Sequence, residues 1–417
     1  MAYVAVMGHG TVGSGVVEVL RKNKDSIEKK AGESIILKKI LDRRSFPDLP
    51  YSDLFTTDAE EILNDDEIQV IVEVMGGVEP AYTYVKRALN SGKHVVTSNK
   101  ELVAEHGAEL LRLARDRDVN FFFEASVGGG IPIIRPLNQC LAANEISEIV
   151  GILNGTTNYV LTQMRLHGKT FEQALKDAQE KGYAESDPSN DIDGYDAARK
   201  IAILASMAFS RAVSYRDVYT EGISAITRLD MIYADEMDYA IKLIAMCKDM
   251  GGKLMARVSP LMIPKSSPLA TVDDAFNAIL VRGDVIGDVI FYGMGAGKLP
   301  TASAVVADVI DAVKHLKTRK KEVWADSEGY PVMDINDVKS RYFIRAAYKD
   351  RSDAVNAVRE LFGDVSLVFC NDPIVKDEFG FISDEEPESV LNDKMAILSD
   401  NDAVSAVINR IRVEDNL

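Results

Sequence analysis

A chain of 417 residues is more than one hydrophobic core usually fills, and it points to two or three domains. Its 47% hydrophobic and 27% charged residues are ordinary for a soluble globular protein, and no apolar run approaches the ~20 residues that span a bilayer. A formal net charge of −17 excludes a nucleic-acid partner, because binding phosphates needs a basic surface.

The N-terminus reads Met1-Ala2-Tyr3-Val4-Ala5-Val6-Met7-Gly8, a strand entering a glycine turn rather than a signal peptide. Cys140, Cys247 and Cys370 lie far apart, form no CxxC pair and are odd in number. This fits a reducing compartment, so a cytoplasmic protein is expected, with no membrane partner.

Val4 to Met7 predicts the first strand, and Gly8-His9-Gly10-Thr11-Val12-Gly13 leads into an amphipathic helix to about Asn23. Apolar runs at Ile35–Leu41, Val70–Val74, His94–Thr97 and Phe121–Ala125 predict further strands, with a helical pattern over Ala104–Arg115. Strands alternating with helices predict an α/β fold, a Rossmann-type doubly wound parallel sheet over residues 1–130. Residues 131–297 are less regular and are expected to form a mixed α/β domain with more helix and several loops. After Gly293-Met294-Gly295-Ala296-Gly297 comes a helical pattern with Val305, Val309, Val313 and Leu316 on related faces. It is expected to complete the first domain over about 298–320. The charged run Lys317–Lys321 opens a linker over 321–339 that carries Trp324, which is expected to pack against a domain. Residues 340–417 predict strand, helix, two strands, helix and strand, a ferredoxin-like order in a separate small unit.

Gly8, Gly10 and Gly13 directly follow the first strand and open a helix. The first glycine turns the chain, the second admits a pyrophosphate against the backbone, and the third lets helix and strand pack closely. Thr11 and Val12 then supply helix N-terminal amides to the anion. The second strand ends in Leu41-Asp42-Arg43-Arg44. A carboxylate there reads the ribose hydroxyl of NAD, whereas an arginine accepts the 2′-phosphate of NADP. Arg43 favours NADP(H), with NAD(H) the alternative and Arg44 read as a solvated loop charge. The five histidines form no metal-spaced pair, and His9 is expected to face cofactor or solvent.

The richest stretch is Gly182-Tyr183-Ala184-Glu185-Ser186-Asp187-Pro188-Ser189-Asn190-Asp191-Ile192-Asp193-Gly194-Tyr195-Asp196-Ala197-Ala198-Arg199-Lys200. On composition alone it is an acidic loop followed by a helix on which Asp196 and Lys200 share a face. From Ala178 to Lys200 it resembles the homoserine dehydrogenase motif: Ala, three residues, Gly, then Asp-Pro-x-x-Asp-x-x-Gly-x-Asp-x-x-x-Lys. Thr97-Ser98-Asn99-Lys100, Glu124–Pro132, Asn154-Gly155-Thr156-Thr157-Asn158-Tyr159 and Gly293–Asp308 resemble that family in the same order.

The resemblance implies an NAD(P)-dependent interconversion of L-homoserine and L-aspartate 4-semialdehyde in threonine, methionine and isoleucine biosynthesis. It implies Lys200 as general acid/base, Lys100 as a second lysine at the reacting carbonyl and at the cofactor, and Asp191 as the carboxylate supporting the lysine. Glu185 and Asp196 would bind the substrate's amino group, and Gly297 would join the glycine turn in contacting the cofactor. Main-chain carbonyls of Glu124, Val127, Gly129 and Ile131 would hold a structural sodium ion. The chemistry suits these types. Alkoxide charge left by hydride transfer needs a nearby ammonium, and burial or a second ammonium brings a lysine toward working pH. The resemblance further implies a monofunctional chain, substrate binding and dimerisation through 131–297, and a homodimer or homotetramer.

Residues from about 340 resemble an ACT domain, with an amino acid such as threonine as candidate effector. Ile411-Arg412-Val413-Glu414 matches the family's ending, but Lys349-Asp350-Arg351-Ser352-Asp353-Ala354 replaces the usual Arg-Pro-Gly-Val-Leu. That change alters the backbone available to a ligand, so a module serving only dimer contacts is the alternative. Two rival functions stand beside these expectations, a dehydrogenase for another amino aldehyde and a nucleotide- and amino-acid-sensing protein. A sensor has no use for both lysines.

Overall fold

The computed structural model describes residues 1–320, 324, 329–370, 372 and 375–417. The expected linker over 321–339 therefore lies partly outside the described residues. The chain divides into two compact units, one of residues 1–149, 199–215 and 279–330, the other of 150–198, 216–278 and 331–417. No described helix is long and apolar enough to cross a membrane.

The first unit carries a six-stranded sheet of β1 (Ala2–Met7), β2 (Ile35–Leu41), β3 (Phe55–Thr56), β4 (Ile68–Glu73), β5 (His94–Thr97) and β6 (Phe121–Phe122). The order is β3-β2-β1-β4-β5-β6 and every pairing is parallel. This is a Rossmann-like sheet, with the order reversing at β1 and β4 as a doubly wound fold requires. The strand expected over 121–125 stops at Phe122, and Glu124–Ser126 form a 3-10 turn. The helix Lys298–Lys314 buries Val305, Val309 and Val313 in one core with Val4, Val6, Val70 and Val96, and Leu316 packs on it. It returns to close this sheet because its apolar stripe has no other surface to cover. Trp324 is buried edge-on against Phe123, its ring 2.9 Å from where a Cβ on Gly107 would stand.

The middle of the chain is richer in strand than its irregular pattern predicts. It holds β7 (Ile146–Ile152), β8 (Tyr219–Thr220), β9 (Tyr239–Asp249), β10 (Leu254–Pro264), β11 (Phe276–Gly283) and β12 (Gly287–Met294). β9 and β10, 11 residues each, form an antiparallel hairpin whose turn holds left-handed Gly251 and Gly252. Their residues are buried on both faces, so the period-two alternation that marks a strand is missing from the sequence.

The C-terminal elements are β13 (Lys339–Tyr348), helix Arg351–Phe362, β14 (Leu367–Val368), β15 (Glu378–Ile382), β16 (Glu386–Pro387), helix Glu388–Ser399 and β17 (Val404–Val413). Apart from the two-residue β16, they follow the expected strand–helix order. They do not stand apart, however. The second unit's mixed sheet runs β7-β9-β10-β17-β13-β15-β14, with β10 and β17 paired in parallel through Leu261↔Arg412 and Met262↔Val413. Across that seam Arg257 on β10 pairs with the half-buried Glu414, just past β17, at 3.2 Å, and a buried pair, Arg345 to Asp230 at 3.0 Å, ties β13 to the helix Arg228–Glu236.

Candidate active site

In the first unit, the glycine turn leaves β1 where β4 and β5 also end. Gly8 is left-handed (φ 102°), and a Cβ on Gly13 would lie 1.9 Å from the Gly8 carbonyl oxygen, so neither position admits a side chain. Gly10 has open space around its missing Cβ and starts the helix Thr11–Lys22 with no side-chain cap, leaving the amides around Thr11 and Val12 for an anion. Gly297 (φ 118°) starts the helix Lys298–Lys314, whose Lys298 carbonyl lies 2.7 Å from a Cβ position on Gly15. A cleft of about 490 Å³ opens beside the turn, lined by Gly8, Gly10, Asp42, Arg43, Met75 and Gly76 among others.

At the ribose end, Asp42 is already engaged. It accepts the His9 amide at 2.8 Å and the Arg44 main-chain and guanidinium N–H groups at 2.9 and 3.0 Å. The Arg44 side chain holds its carboxyl well below the usual carboxylate range. Arg44, expected to be merely solvated, is therefore Asp42's partner and also donates to the His9 carbonyl at 2.9 Å. Arg43 is exposed, lines the cleft and has no acidic partner among the described residues. The His9 ring is neither solvent-facing nor free to turn, since it packs edge-on to Phe46 and Phe55 at 4.7 and 4.9 Å. Burial lowers its pKa.

Lys100 opens the helix Lys100–Asp116 at the end of β5, capped by the Asn99 side chain on the Leu102 amide. The preceding residues form a buried chain absent from the sequence reading. Glu73 on β4 accepts the Thr97 hydroxyl at 2.6 Å and the Met75 amide at 2.8 Å. Thr97 in turn accepts the Asn99 amide at 2.9 Å, and Asn99 Nδ2 donates to the Gly77 carbonyl at 2.6 Å. Burial pushes the Glu73 carboxyl up. The network ties the cleft-lining loop to the start of Lys100's helix.

The turn expected to hold sodium is closely built. Gly128 and Gly129 are left-handed (φ 73° and 56°), and a Cβ on Gly129 would meet the Gly295 carbonyl oxygen at 2.3 Å. The Gly130 amide donates to the Met294 carbonyl at 3.1 Å. Glu124's carboxylate accepts three amides, from Ile133, Ile134 and Arg135, at 2.6 to 2.8 Å. Its side chain is thus spent, and what Glu124 can offer a cation is its main-chain oxygen. Asp308 accepts the Glu124 amide at 2.9 Å and pairs with Arg135; burial, with Glu124's charge adding to it, lifts its pKa to about 7.

In the second unit, Asn154 gathers the acidic loop. Its side-chain oxygen caps the helix Gly155–His167 by accepting the Thr157 amide at 2.9 Å. Its Nδ2 donates one hydrogen to Asp191 at 2.7 Å and the other to Asp196 at 2.8 Å. The Thr156 hydroxyl lies 2.9 Å from the second Asp191 oxygen. Two carboxylates held on one amide repel each other, and an ammonium bound there relieves that repulsion. The structure thus joins Asp191 and Asp196. Glu185 stays outside this pair, with an exposed side chain and its main-chain carbonyl accepting from Gln179 at 3.1 Å. Lys200 follows Asp196 by four residues on the helix Tyr195–Ala208, past the 198/199 division and so in the first unit's share of the chain, and both residues are buried.

Set against known proteins, residues 132–310 match the homoserine dehydrogenase family and residues 8–124 match its NAD-binding domain. The homoserine dehydrogenase of Bacillus subtilis is 36% identical over 99% of this chain and 98% of its own. The chain belongs to the homoserine dehydrogenase family. That of Synechocystis is 42% identical over 87% of this chain and 86% of its own. A solved homoserine dehydrogenase from Thiobacillus denitrificans superposes with a TM-score of 0.89 at 37% identity, covering 99% of this chain and 98% of that one. A hyperthermophilic archaeal homoserine dehydrogenase solved in complex with NADPH has a TM-score of 0.64 at 29% identity, over 75% of this chain and 97% of that one. Membership makes the protein an NAD(P)-dependent oxidoreductase with homoserine dehydrogenase function. It sets aside both the sensor and the dehydrogenase for another amino aldehyde.

Proposed function

We propose that the chain uses NADP(H) in preference to NAD(H) to interconvert L-homoserine and L-aspartate 4-semialdehyde, in the cytoplasm, on the route to threonine, methionine and isoleucine. The observation that carries the substrate half is the Asn154 amide holding Asp191 and Asp196, with Lys200 following on the same helix. The residues around the glycine turn fit a dinucleotide, with Gly8, Gly10, Thr11, Val12, Gly13, Arg43, Lys100 and Gly297 as its contacts. When bound, the nicotinamide supplies the hydride. Asp196 and Glu185 bind the substrate's ammonium, and Asp191 supports the lysine. As negative charge develops on the carbonyl oxygen during reduction, Lys100 stabilises it and Lys200 delivers the proton; in the reverse direction Lys200 takes that proton from the hydroxyl.

Asp42's engagement with Arg44 supports the NADP preference, because it leaves Arg43 as the uncommitted charge at the ribose end. A charge-assisted bond to the 2′-phosphate implies that Arg43→Ala lowers kcat/KM for NADP by roughly tenfold to a hundredfold, with little change for NAD. An equal loss with both cofactors would overturn the assignment.

The Glu124–Ile131 turn supports a sodium ion held by the carbonyls of Glu124, Val127, Gly129 and Ile131, a ligand set suited to a hard cation. Sodium chloride is expected to raise Tm above choline chloride at equal ionic strength, and identical curves would remove the ion. A homodimer or homotetramer is supported by β12, which leaves Ile290, Tyr292 and Met294 exposed. Sedimentation velocity at micromolar concentration should show no monomer, and a monomer would refute it. We assign the C-terminal module no effector. Asp350, in the loop where the family carries Pro-Gly, caps the helix Arg351–Phe362 through the Asp353 amide at 3.0 Å. Threonine binding seen by calorimetry would reverse that assignment.

A further inference from the structure

Ile411-Arg412-Val413-Glu414, at the end of β17, takes no part in the chemistry above. Arg412 is only 2% exposed. Its Nε and Nη2 each lie 2.7 Å from one oxygen of the buried Glu388 carboxylate, a two-pronged bond that uses the planar fork fully. The remaining Nη1 pairs with Glu221. The guanidinium also lies over the Tyr219 ring, 4.8 Å from its centroid, and the Tyr219 hydroxyl is 3.3 Å from Glu221. One cation from the last strand therefore grips β8 and the residue just after it by a charge and a ring face.

That segment is the floor of the acidic loop. The Glu221 amide donates to the Val258 carbonyl at 2.8 Å, fixing it on β10, and the Ile223 amide donates to the Ile192 carbonyl at 3.0 Å. Gly222 passes so close that a Cβ there would lie 2.3 Å from the Ile192 carbonyl oxygen. Gly194, left-handed at φ 87°, sits over the other end, its Cβ position 3.1 Å from both Thr220 Cγ2 and Val258 Cγ1. Ile192 and Gly194 lie between Asp191 and Asp196, so the height of this floor sets where those two carboxylates stand.

We propose that Arg412 is a positioning residue for the substrate: through Glu221 and Tyr219 it holds the floor on which Asp191 and Asp196 are spaced. The inference rests on the reading that Asp196 holds the substrate's ammonium. Only arginine can satisfy Glu388 bidentately and still reach Glu221; losing either contact leaves a buried or half-buried carboxylate with hydroxyl donors, Ser340 and Tyr342 on Glu388 and Tyr219 on Glu221, but without this cation.

The test is steady-state kinetics on Arg412→Lys, Glu221→Gln and Gly222→Ala, with Asp196→Asn alongside. Arg412→Lys should raise the KM for homoserine about tenfold, the scale of coupling through a bonded network, with the KM for NADP unchanged. The double variant Arg412→Lys/Glu221→Gln should add little to either single change. Gly222→Ala leaves every ion pair intact and should show the same selective rise. A wild-type homoserine KM in folded Arg412→Lys and Gly222→Ala would overturn the proposal. So would homoserine and NADP KM rising together, which marks general loosening. If Arg412→Lys does not fold, Glu221→Gln decides in its place, and a wild-type homoserine KM in that variant would overturn the proposal. A raised homoserine KM in Asp196→Asn with none in Gly222→Ala overturns this inference only, whereas no change in Asp196→Asn overturns the underlying reading.

Discussion

Lys200→Ala should lower turnover by about two to four orders of magnitude, the range of a lost general acid/base, while NADPH binding followed by fluorescence stays at its wild-type value. Lys200 is buried one turn after Asp196, and the cofactor cleft in the first unit is lined by other residues. On the proposed reading, removing the ammonium deletes proton transfer without touching the glycine turn. Lys200→Arg separates charge from proton transfer. It keeps a cation at the carbonyl, but a guanidinium does not give up its proton at working pH. Turnover should stay low, and near wild-type turnover in either variant would remove Lys200 from the role.

Asp196→Asn should raise the KM for homoserine by at least about thirtyfold, since truncating a buried charge partner costs about 2 kcal/mol or more. The amide keeps the shape of the carboxylate and still offers Asn154 an oxygen, so the bond now 2.8 Å long survives and the helix Tyr195–Ala208 keeps its place. What disappears is the negative charge that the proposed reading sets against the substrate's ammonium. The KM for NADP should not move. A homoserine KM at its wild-type value would mean that the Asn154-linked pair is an ion-pair scaffold rather than a substrate site.

The parallel sheet was legible because β1, β2 and β4 are short apolar runs separated by helical patterns, and because Gly8, Gly10 and Gly13 directly follow the first of them and open a helix. The return of residues 298–314 was legible from Val305, Val309 and Val313, a stripe that needed a sheet to cover. β9 and β10 were not. Both faces of the hairpin are buried, which erases the alternation that separates strand from helix. The seam between β10 and β17 was hidden for a different reason. Arg412 and Arg257 look like surface charges in a sequence, and only the fold shows them buried among Glu388, Glu221 and Glu414. In the site, the lysines and aspartates stood out through their motif. Asn154 stood within a segment that resembles the family but was given no role, because only the fold shows that its oxygen caps a helix while its nitrogen holds the two carboxylates. Glu73 was hidden inside an apolar strand, where its burial marks it as a partner for Thr97.

The most direct test of the central claim is absorbance at 340 nm on the purified protein with L-homoserine and either NADP⁺ or NAD⁺, at alkaline pH with sodium present. Reduced cofactor should accumulate only when homoserine is added, with a higher kcat/KM for NADP⁺. No absorbance change with either cofactor, in a folded sample, would contradict the account.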